Sequence, residues 1–362
     1  MSLCSLQKSA EIALPQCLKN PFRGSGLSDA AMSPRSDAAA VARLLSLCPA
    51  HAVTPCEELP GLAARAGIAR LHVKDERNRM GLGSFKALGA SFAIAQEAAR
   101  KDPSADWGTA LQGRTYVTAS AGNHGMSVAA GARVFGARAV IYLAETVPEA
   151  FAIRLRARGA TVVRAGATYE ESMTAAADAA RRNGWALLSD SSWPGYSELP
   201  MAVMEGYLQL AAEVVAQMDA PPSHILLQAG VGGLAAAVAA HVRFAWGDTP
   251  VIIVVEPSVA AALMESIRAG RLVTAAGPSS CMGRLDCKTP SEIALAGLSR
   301  DADLFVTITE DEAAAGIAEL AEHGVATTPS GGAGLAALLC GLPGIGPDAS
   351  VLAIVSEGPE DA

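Results

Sequence analysis

Three short stretches carry residue types whose spacing could do chemistry. The first is Ser84-Phe85-Lys86, which follows Lys74-Asp75-Glu76-Arg77 and a Gly81-Leu82-Gly83 loop. A lysine attacks a carbonyl only as the neutral amine, and a sheltered apolar setting favours that form. Phe85 and Ala87-Leu88-Gly89 supply apolar or small flanks, although most lysines are simply solvated surface charges. The second stretch is Ser120-Ala121-Gly122-Asn123-His124-Gly125, set between a strand-like and a helix-like run. Backbone N–H groups at a helix start bind anions, and glycine permits close approach. The plainer reading is a strand-to-helix turn capped by Ser120 or Asn123. His124 reads as a packing or orienting residue, because no second His or Cys lies near it in sequence.

The third stretch, Gly230-Val231-Gly232-Gly233-Leu234, follows an apolar strand and precedes an Ala-rich helix. That arrangement cradles phosphate. It also fits a dinucleotide turn, with Glu256 at the end of the next strand as the acid for a ribose. The dinucleotide alternative, a dehydrogenase, leaves the other two stretches without a task. Two glycine-rich turns and a placed lysine fit one phosphate-bearing cofactor held through an aldehyde.

The elements that must position these residues alternate. Short β-branched runs exchange with Ala-rich helical stretches through most of the sequence, the pattern of parallel α/β sheets. Strands are predicted at 71–74, 115–118, 139–143, 161–164, 186–189, 225–228, 251–255, 305–307 and 351–355. Helices are predicted at 84–101, 123–135, from Pro148, 168–183, 198–218, 234–244, 310–323 and 334–339. No repeat or low-complexity linker separates two halves, so two αβα lobes of interleaved sequence are expected.

The 362 residues suit about two domains. Their 51% hydrophobic and 18% charged content allows a large aliphatic core. A net charge of -8 without a basic stripe argues against a nucleic-acid partner. No purely apolar run is long enough to suggest a membrane span. The first 35 residues lack a charged head with a long apolar stretch, so no secretory signal is read; they are expected to be poorly ordered or draped over the body. Cys4, Cys17, Cys48, Cys56, Cys281, Cys287 and Cys340 are scattered and form no C-x-x-C pair. Neither a metal site nor a disulfide frame is suggested, and a reducing cytoplasm is the expected setting.

In order and distance the three motifs resemble those of the fold-type II pyridoxal-phosphate enzymes, whose fold is tryptophan-synthase-β-like. Within that group the chain resembles the diaminopropionate ammonia-lyases. The closer points are Lys74-Asp75-Glu76, Asp190-Ser191-Ser192-Trp193-Pro194-Gly195-Tyr196, Met204-Glu205-Gly206-Tyr207, Leu285-Asp286-Cys287 with Pro290-Ser291, and Ser356-Glu357-Gly358. The resemblance runs from Lys74 to Gly358. It implies pyridoxal 5'-phosphate as cofactor, a small amino acid as substrate and a homodimer. It also implies a large cofactor-binding domain at 36–84 plus 188–362 and a small domain at 85–187.

Residue roles follow from the same resemblance. Lys86 would link to the cofactor aldehyde beside Phe85, and Asn123 would meet the ring's 3'-oxygen. Gly230, Val231, Gly232, Gly233 and Leu234 would hold the phosphate, and Ser356 would face the ring nitrogen. Ser120, Ala121 and Gly122 would take the substrate carboxylate. Asp190, or Lys86 once freed, would remove the Cα proton of an L-substrate; the plainer reading of Asp190 is a turn cap. Two positions depart from the ammonia-lyases. Ala121 replaces an aspartate associated with D-substrates, so dual stereospecificity is not expected. Arg284 replaces a small residue, and is either a salt-bridged arginine or a fork for a second substrate carboxylate. The reaction implied is β-elimination of 2,3-diaminopropionate to pyruvate and ammonia. Alternatives are a serine, threonine or 3-hydroxyaspartate dehydratase, or a non-catalytic homologue that binds the cofactor.

Overall fold

The computed structural model describes residues 16–28, 32–101, 106–120 and 122–359. Its elements are β1 (Cys17–Lys19), α1 (Ala39–Leu45), β2 (Cys56–Glu58), α2 (Pro60–Ala66) and β3 (Arg70–Asp75), then a 3-10 turn at Arg79–Gly81 and α3 (Lys86–Lys101). β4 (Thr115–Ala119), α4 (Asn123–Val134), β5 (Arg138–Leu143), α5 (Glu149–Ala157), β6 (Thr161–Arg164), α6 (Tyr169–Asn183) and β7 (Ala186–Leu187) follow. The rest comprises α7 (Glu198–Gln217), β8 (His224–Gln228), α8 (Gly233–Trp246), β9 (Val251–Pro257), α9 (Ala262–Ala269), α10 (Glu292–Asp301), β10 (Leu304–Ile308), α11 (Glu310–Glu322), α12 (Ala333–Cys340) and β11 (Ser350–Val355).

Local chemistry explains several boundaries. Thr168 with Glu171, and Thr309 with Glu312, form reciprocal capping boxes that open α6 and α11. Pro60 sits in the first turn of α2, where its missing N–H costs nothing. Gly184 ends α6 at φ 65°, a left-handed conformation that glycine adopts without steric cost.

The strands form two sheets. The larger has the order β1-β10-β9-β8-β11-β3-β2, and the smaller β6-β5-β4-β7. The smaller sheet is wholly parallel. In the larger, the five inner strands are parallel and the edges β1 and β2 run antiparallel. Parallel strands with helices on both faces bury their whole side-chain set, and β8 and β9 accordingly are apolar along nearly their length. One apolar cluster runs from Tyr116 and Ile141 in the smaller sheet to Ile225 and Val254 in the larger.

Of the two expectations for the first segment, its described part is draped over the body rather than poorly ordered. Cys17 to Lys19 pair with Leu304 to Val306, and the Asn20 amide donates to the carbonyls of Ser299 at 2.8 Å and Ala302 at 2.7 Å. Backbone hydrogen bonds to an open sheet edge order a segment that has little apolar content of its own. Residues 1–15 and 29–31 lie outside the described residues.

Helices α3 and α7 fix the site from behind. A Cβ on Gly206 would lie 2.4 Å from the Leu88 carbonyl oxygen, and one on Gly89 would lie 2.6 Å from the Tyr207 ring. The two helices therefore touch backbone to backbone at these glycines. Beneath them lies a buried ionic cluster. Glu213 of α7 accepts from Lys74 of β3 at 2.7 Å and from Arg79 at 2.6 Å, and Arg79 also donates to Glu76 at 2.7 Å. Arg79 belongs to the turn leading to Lys86, so the cluster anchors that turn to both β3 and α7. Met80, next to it, holds φ 52°, a strained value for a side chain of its size.

Candidate active site

The chemistry-bearing stretches gather where parallel strands end. Lys86 follows β3, Ser120 to Asn123 follow β4, Asp190 follows β7, Gly230 to Leu234 follow β8, and Ser356 and Glu357 follow β11. Crevices outside the carboxyl ends of parallel strands are where open α/β sheets bind ligands.

Lys86 is the first residue of α3, and its ε-amine makes an ion pair with the Asp190 carboxylate. Its position is locked by neighbours on β11's extension. The Phe85 N–H donates to the Ser356 carbonyl at 3.0 Å, and Ser84 forms an isolated β-bridge with Glu357. The amine lies 5.4 Å from the Phe85 ring centre, and that ring meets Tyr207 edge-on at 4.9 Å. Burial works against the Lys86 charge, but Asp190, with Tyr207 and Cys287 behind it, outweighs burial and holds the amine above the usual lysine value. Burial would likewise raise Asp190; Lys86 and then His124 prevail and keep it well below the usual carboxylate range.

The Asp190 segment is itself braced. The Tyr196 hydroxyl donates to the Leu187 carbonyl at 2.7 Å and accepts from the Ser189 N–H at 3.0 Å, while Trp193 and Tyr196 stack at 4.3 Å. Ser192 bonds the Ser291 hydroxyl at 2.7 Å, tying the segment to the start of α10. Asp190 is therefore an ion-pair partner of Lys86 rather than a turn cap.

At the second turn, the Ser120 hydroxyl accepts from the N–H groups of Gly122 at 3.3 Å and Gly125 at 3.1 Å. Ala121 lies outside the described residues. Buried His124 bonds the Leu188 carbonyl at 2.8 Å, linking α4 to the strand that precedes Asp190. Asn123 donates through Nδ2 to Glu357 at 2.5 Å.

The glycine-rich turn shows why its residues are small. A Cβ on Gly230 would sit 3.0 Å from Cys287 Sγ and 3.1 Å from the Arg284 carbonyl. Gly232 has φ 94° and caps α8, and a Cβ there would meet Ala294 at 3.0 Å. A Cβ on Gly233 would lie in ordinary contact with Tyr207, Met204 and the Asp190 carbonyl. The turn thus borders the Lys86–Asp190 pair, and the first N–H groups of α8 lack partners within the helix. Val231 and Leu234 complete it, Leu234 buried against the core.

One sequence reading changes. Glu256 is buried and accepts from the N–H groups of Leu263 and Met264, each at 2.8 Å. It caps α9 and is not available to a ribose, which removes the dinucleotide reading. Arg284 is salt-bridged: it donates to Glu357 at 2.5 Å, and a Cβ on Gly122 would lie 3.5 Å from its Nε. Sequence reasoning assigned no role to Tyr207, Cys287, Thr328 or Glu357. Tyr207, Cys287 and Glu357 stand inside motifs of the resemblance, Met204 to Tyr207, Leu285 to Cys287 and Ser356 to Gly358, and that was the signal present. Among the described residues, no group of three or more His, Cys, Asp or Glu is placed to hold a metal, and no helix is long and apolar enough to cross a membrane.

The residues fit a phosphate-bearing aldehyde cofactor. A glycine cradle at a helix start, a sheltered lysine, the buried Ser356 and the Asn123 amide enclose one crevice, and the buried Ser84 hydroxyl beside Lys86 lacks a protein partner. The family pattern described as "Pyridoxal-phosphate dependent enzyme" matches residues 47–357. The chain belongs to that family, with its α/β fold of type II, and pyridoxal phosphate is its cofactor. Within the family it is similar to the diaminopropionate ammonia-lyases. It is 37% identical to that of Salmonella typhimurium over 235 residues, covering 60% of this chain and 58% of that protein, less than two thirds of its length. It is 32% identical to that of Escherichia coli over 278 residues, covering 73% of this chain and 70% of the relative. The structure of the holo Escherichia coli ammonia-lyase superposes with a TM-score of 0.84 at 28% identity, covering 95% of this chain and 94% of that one.

Proposed function

We propose that this protein is a β-eliminating ammonia-lyase that converts L-2,3-diaminopropionate and water to pyruvate and two molecules of ammonia. The observation that carries the reading is the Lys86–Asp190 pair, held between the Ser120–Asn123 turn and the glycine cradle. Pyridoxal phosphate, when bound, supplies an aldehyde and an electron-withdrawing ring.

The chain's own residues supply the rest. N–H groups of Gly230 to Leu234 hold the phosphate, and Ser356 faces the ring nitrogen with a neutral hydroxyl that does not enforce ring protonation. Lys86 provides the linking amine beside Phe85. The lysine acts only as the neutral amine, and in that form it no longer depresses Asp190, whose partial burial then raises its proton affinity. Asp190 becomes a general base for the Cα proton of an L-substrate. The Ser120–Gly122 backbone takes the substrate carboxylate, and Ala121 can move no proton, which restricts the reaction to one enantiomer. Asn123 meets the ring oxygen.

The same reading places residues 85–187 in a small domain against 36–84 plus 188–362, supported by the smaller sheet lying wholly within the former. It takes the protein as a cytoplasmic homodimer. All six described cysteines are free, which supports a reducing compartment, and sedimentation velocity tests the dimer.

The deciding experiment follows the absorbance of the cofactor-loaded protein on adding L-2,3-diaminopropionate, with pyruvate and ammonia assayed together. A spectral change with one pyruvate per two ammonia is expected. Turnover of hydroxy-amino acids alone would overturn the substrate assignment in favour of a dehydratase.

A further inference from the structure

We propose that Arg284 and Glu357 form a charge pair that sets which end of the Asn123 amide faces the cofactor's ring oxygen. This inference rests on the reading above in one respect, that Asn123 meets that oxygen.

Glu357 follows Ser356 at the end of β11 and is 3% exposed. Its carboxylate collects three side chains from separate parts of the chain. Arg284 Nη1 donates to Oε1 at 2.5 Å, Thr328 Oγ1 also donates to Oε1, and Asn123 Nδ2 donates to Oε2 at 2.5 Å. The Thr327 hydroxyl fixes the Glu357 carbonyl at 2.6 Å. Arg284 is held in turn, its N–H donating to Ser330 Oγ at 3.1 Å.

A carboxylate so buried tends to take up a proton, and a guanidinium, which stays charged, opposes that. Burial raises Glu357 above the usual carboxylate value, and the charged groups facing it, Arg284 foremost and Lys86, limit that rise together with the Thr328 hydroxyl. An ionised carboxylate only accepts hydrogen bonds, so Asn123 must offer it Nδ2. One Nδ2 hydrogen goes to Glu357, and the second remains to be donated to a cofactor oxygen. A protonated Glu357 would instead donate to Asn123 Oδ1. The amide could then turn over and present a carbonyl oxygen where a donor is needed. Arg284 is in this way a positioning residue that acts through Glu357 and Asn123.

The test uses the cofactor-loaded protein without substrate, read by the absorbance and circular dichroism of bound pyridoxal phosphate and by its dissociation constant. Arg284→Met is expected to shift the visible band and weaken cofactor binding about tenfold, the cost of losing a hydrogen bond of this kind. The band should return toward that of the parent as pH rises and Glu357 ionises. Arg284→Lys, which keeps the charge, should retain the parent spectrum. Adding Arg284→Met to Asn123→Ala should change the spectrum no further. Thermal melts confirm that each variant is folded.

A parental spectrum and affinity in Arg284→Met, or a shift additive with Asn123→Ala, would overturn the inference. So would an unchanged spectrum together with a selective loss of turnover on 3-hydroxyaspartate, which would make Arg284 a ligand for a second substrate carboxylate. Pyruvate formation from L-2,3-diaminopropionate is scored separately. Its failure alongside the expected spectral shifts removes the substrate reading and leaves this one standing.

Discussion

A carboxylate paired with an ammonium is a poor base until that partner gives up its charge. Asp190 and Lys86 stand in that relation, and the partial burial of Asp190 raises its proton affinity once the charge is gone. Asp190→Asn keeps the shape and removes the base. Turnover of L-2,3-diaminopropionate should fall about 100- to 10,000-fold, while absorbance shows the cofactor still bound through Lys86. Full activity in that variant would transfer the base role to Lys86. At this scale the sequence was legible wherever chemistry and backbone turn coincide. Lys86, Asn123 and the Gly230–Leu234 turn each sit at a strand-to-helix junction that local pattern reveals. Glu357 was not legible, because its partners Asn123, Arg284 and Thr328 meet it only through tertiary folding. Arg284 stood out as an unusual residue, and only the structure shows which carboxylate it serves.

Among elements, the crossing of α3 and α7 carries the heaviest constraint. Gly206→Ala would press a methyl group against the Leu88 carbonyl. Overpacking of this sort should cost about 1–3 kcal/mol and, by tilting α3, weaken cofactor binding; calorimetry and a cofactor titration check both. The ionic cluster below is a second constraint. Lys74→Met should destabilise the protein by about 3–5 kcal/mol, since it leaves Glu213 buried with one cation fewer, and denaturant unfolding measures the loss. Burial works to raise Glu213, but Arg79 foremost and then Lys74 hold it down, to about 2. Its folded value is thus depressed, so its stabilisation is present above pH 4.5 and lost as pH falls toward 2. Long helices with Ala-rich patterns, such as α7 and α8, were readable because their apolar period persists over several turns. The edge strands β1 and β2, with three residues each, carry no period to read. Helices α1, α9 and α10 are short, and packing places them, α1 against α3 and α7, α10 against α8, and α9 against α10, β9 and β10.

For the molecule as a whole, pH acts through buried carboxylates of opposite tendency. Burial pushes Glu256 up to about 8, only partly relieved by two N–H donors, while nearby Glu265 adds repulsion. A folded value above the unfolded 4.5 means that stability is lost as pH rises from about 4.5 through 8. Glu256→Gln removes this ionisation and keeps an acceptor for one of the two α9 N–H groups, while its NH2 meets the other. Its melting temperature should lie below the parent at pH 5 and gain on it by roughly 2–4 °C between pH 5 and pH 8.5. A difference that stays the same at both pH values would show that Glu256 is already relieved by its donors. The general architecture was readable from the alternation of strand-like and helix-like runs. The strand order was not, because it depends on which runs pair across long stretches of chain.

That order has a consequence for the protein's synthesis. β11 lies between β8 and β3 in the interior of the larger sheet, yet among the described strands it comes last in chain order. The smaller sheet comes from one continuous stretch and can assemble while the chain is still emerging from the ribosome. β3, by contrast, must keep one edge unsatisfied until residues 350–355 arrive. The same late stretch delivers Ser356 and Glu357 to the cofactor crevice. A nascent chain therefore holds its longest-lived exposed strand edge beside the unfinished cofactor site, and chaperone demand should peak just before residues 350–355 emerge.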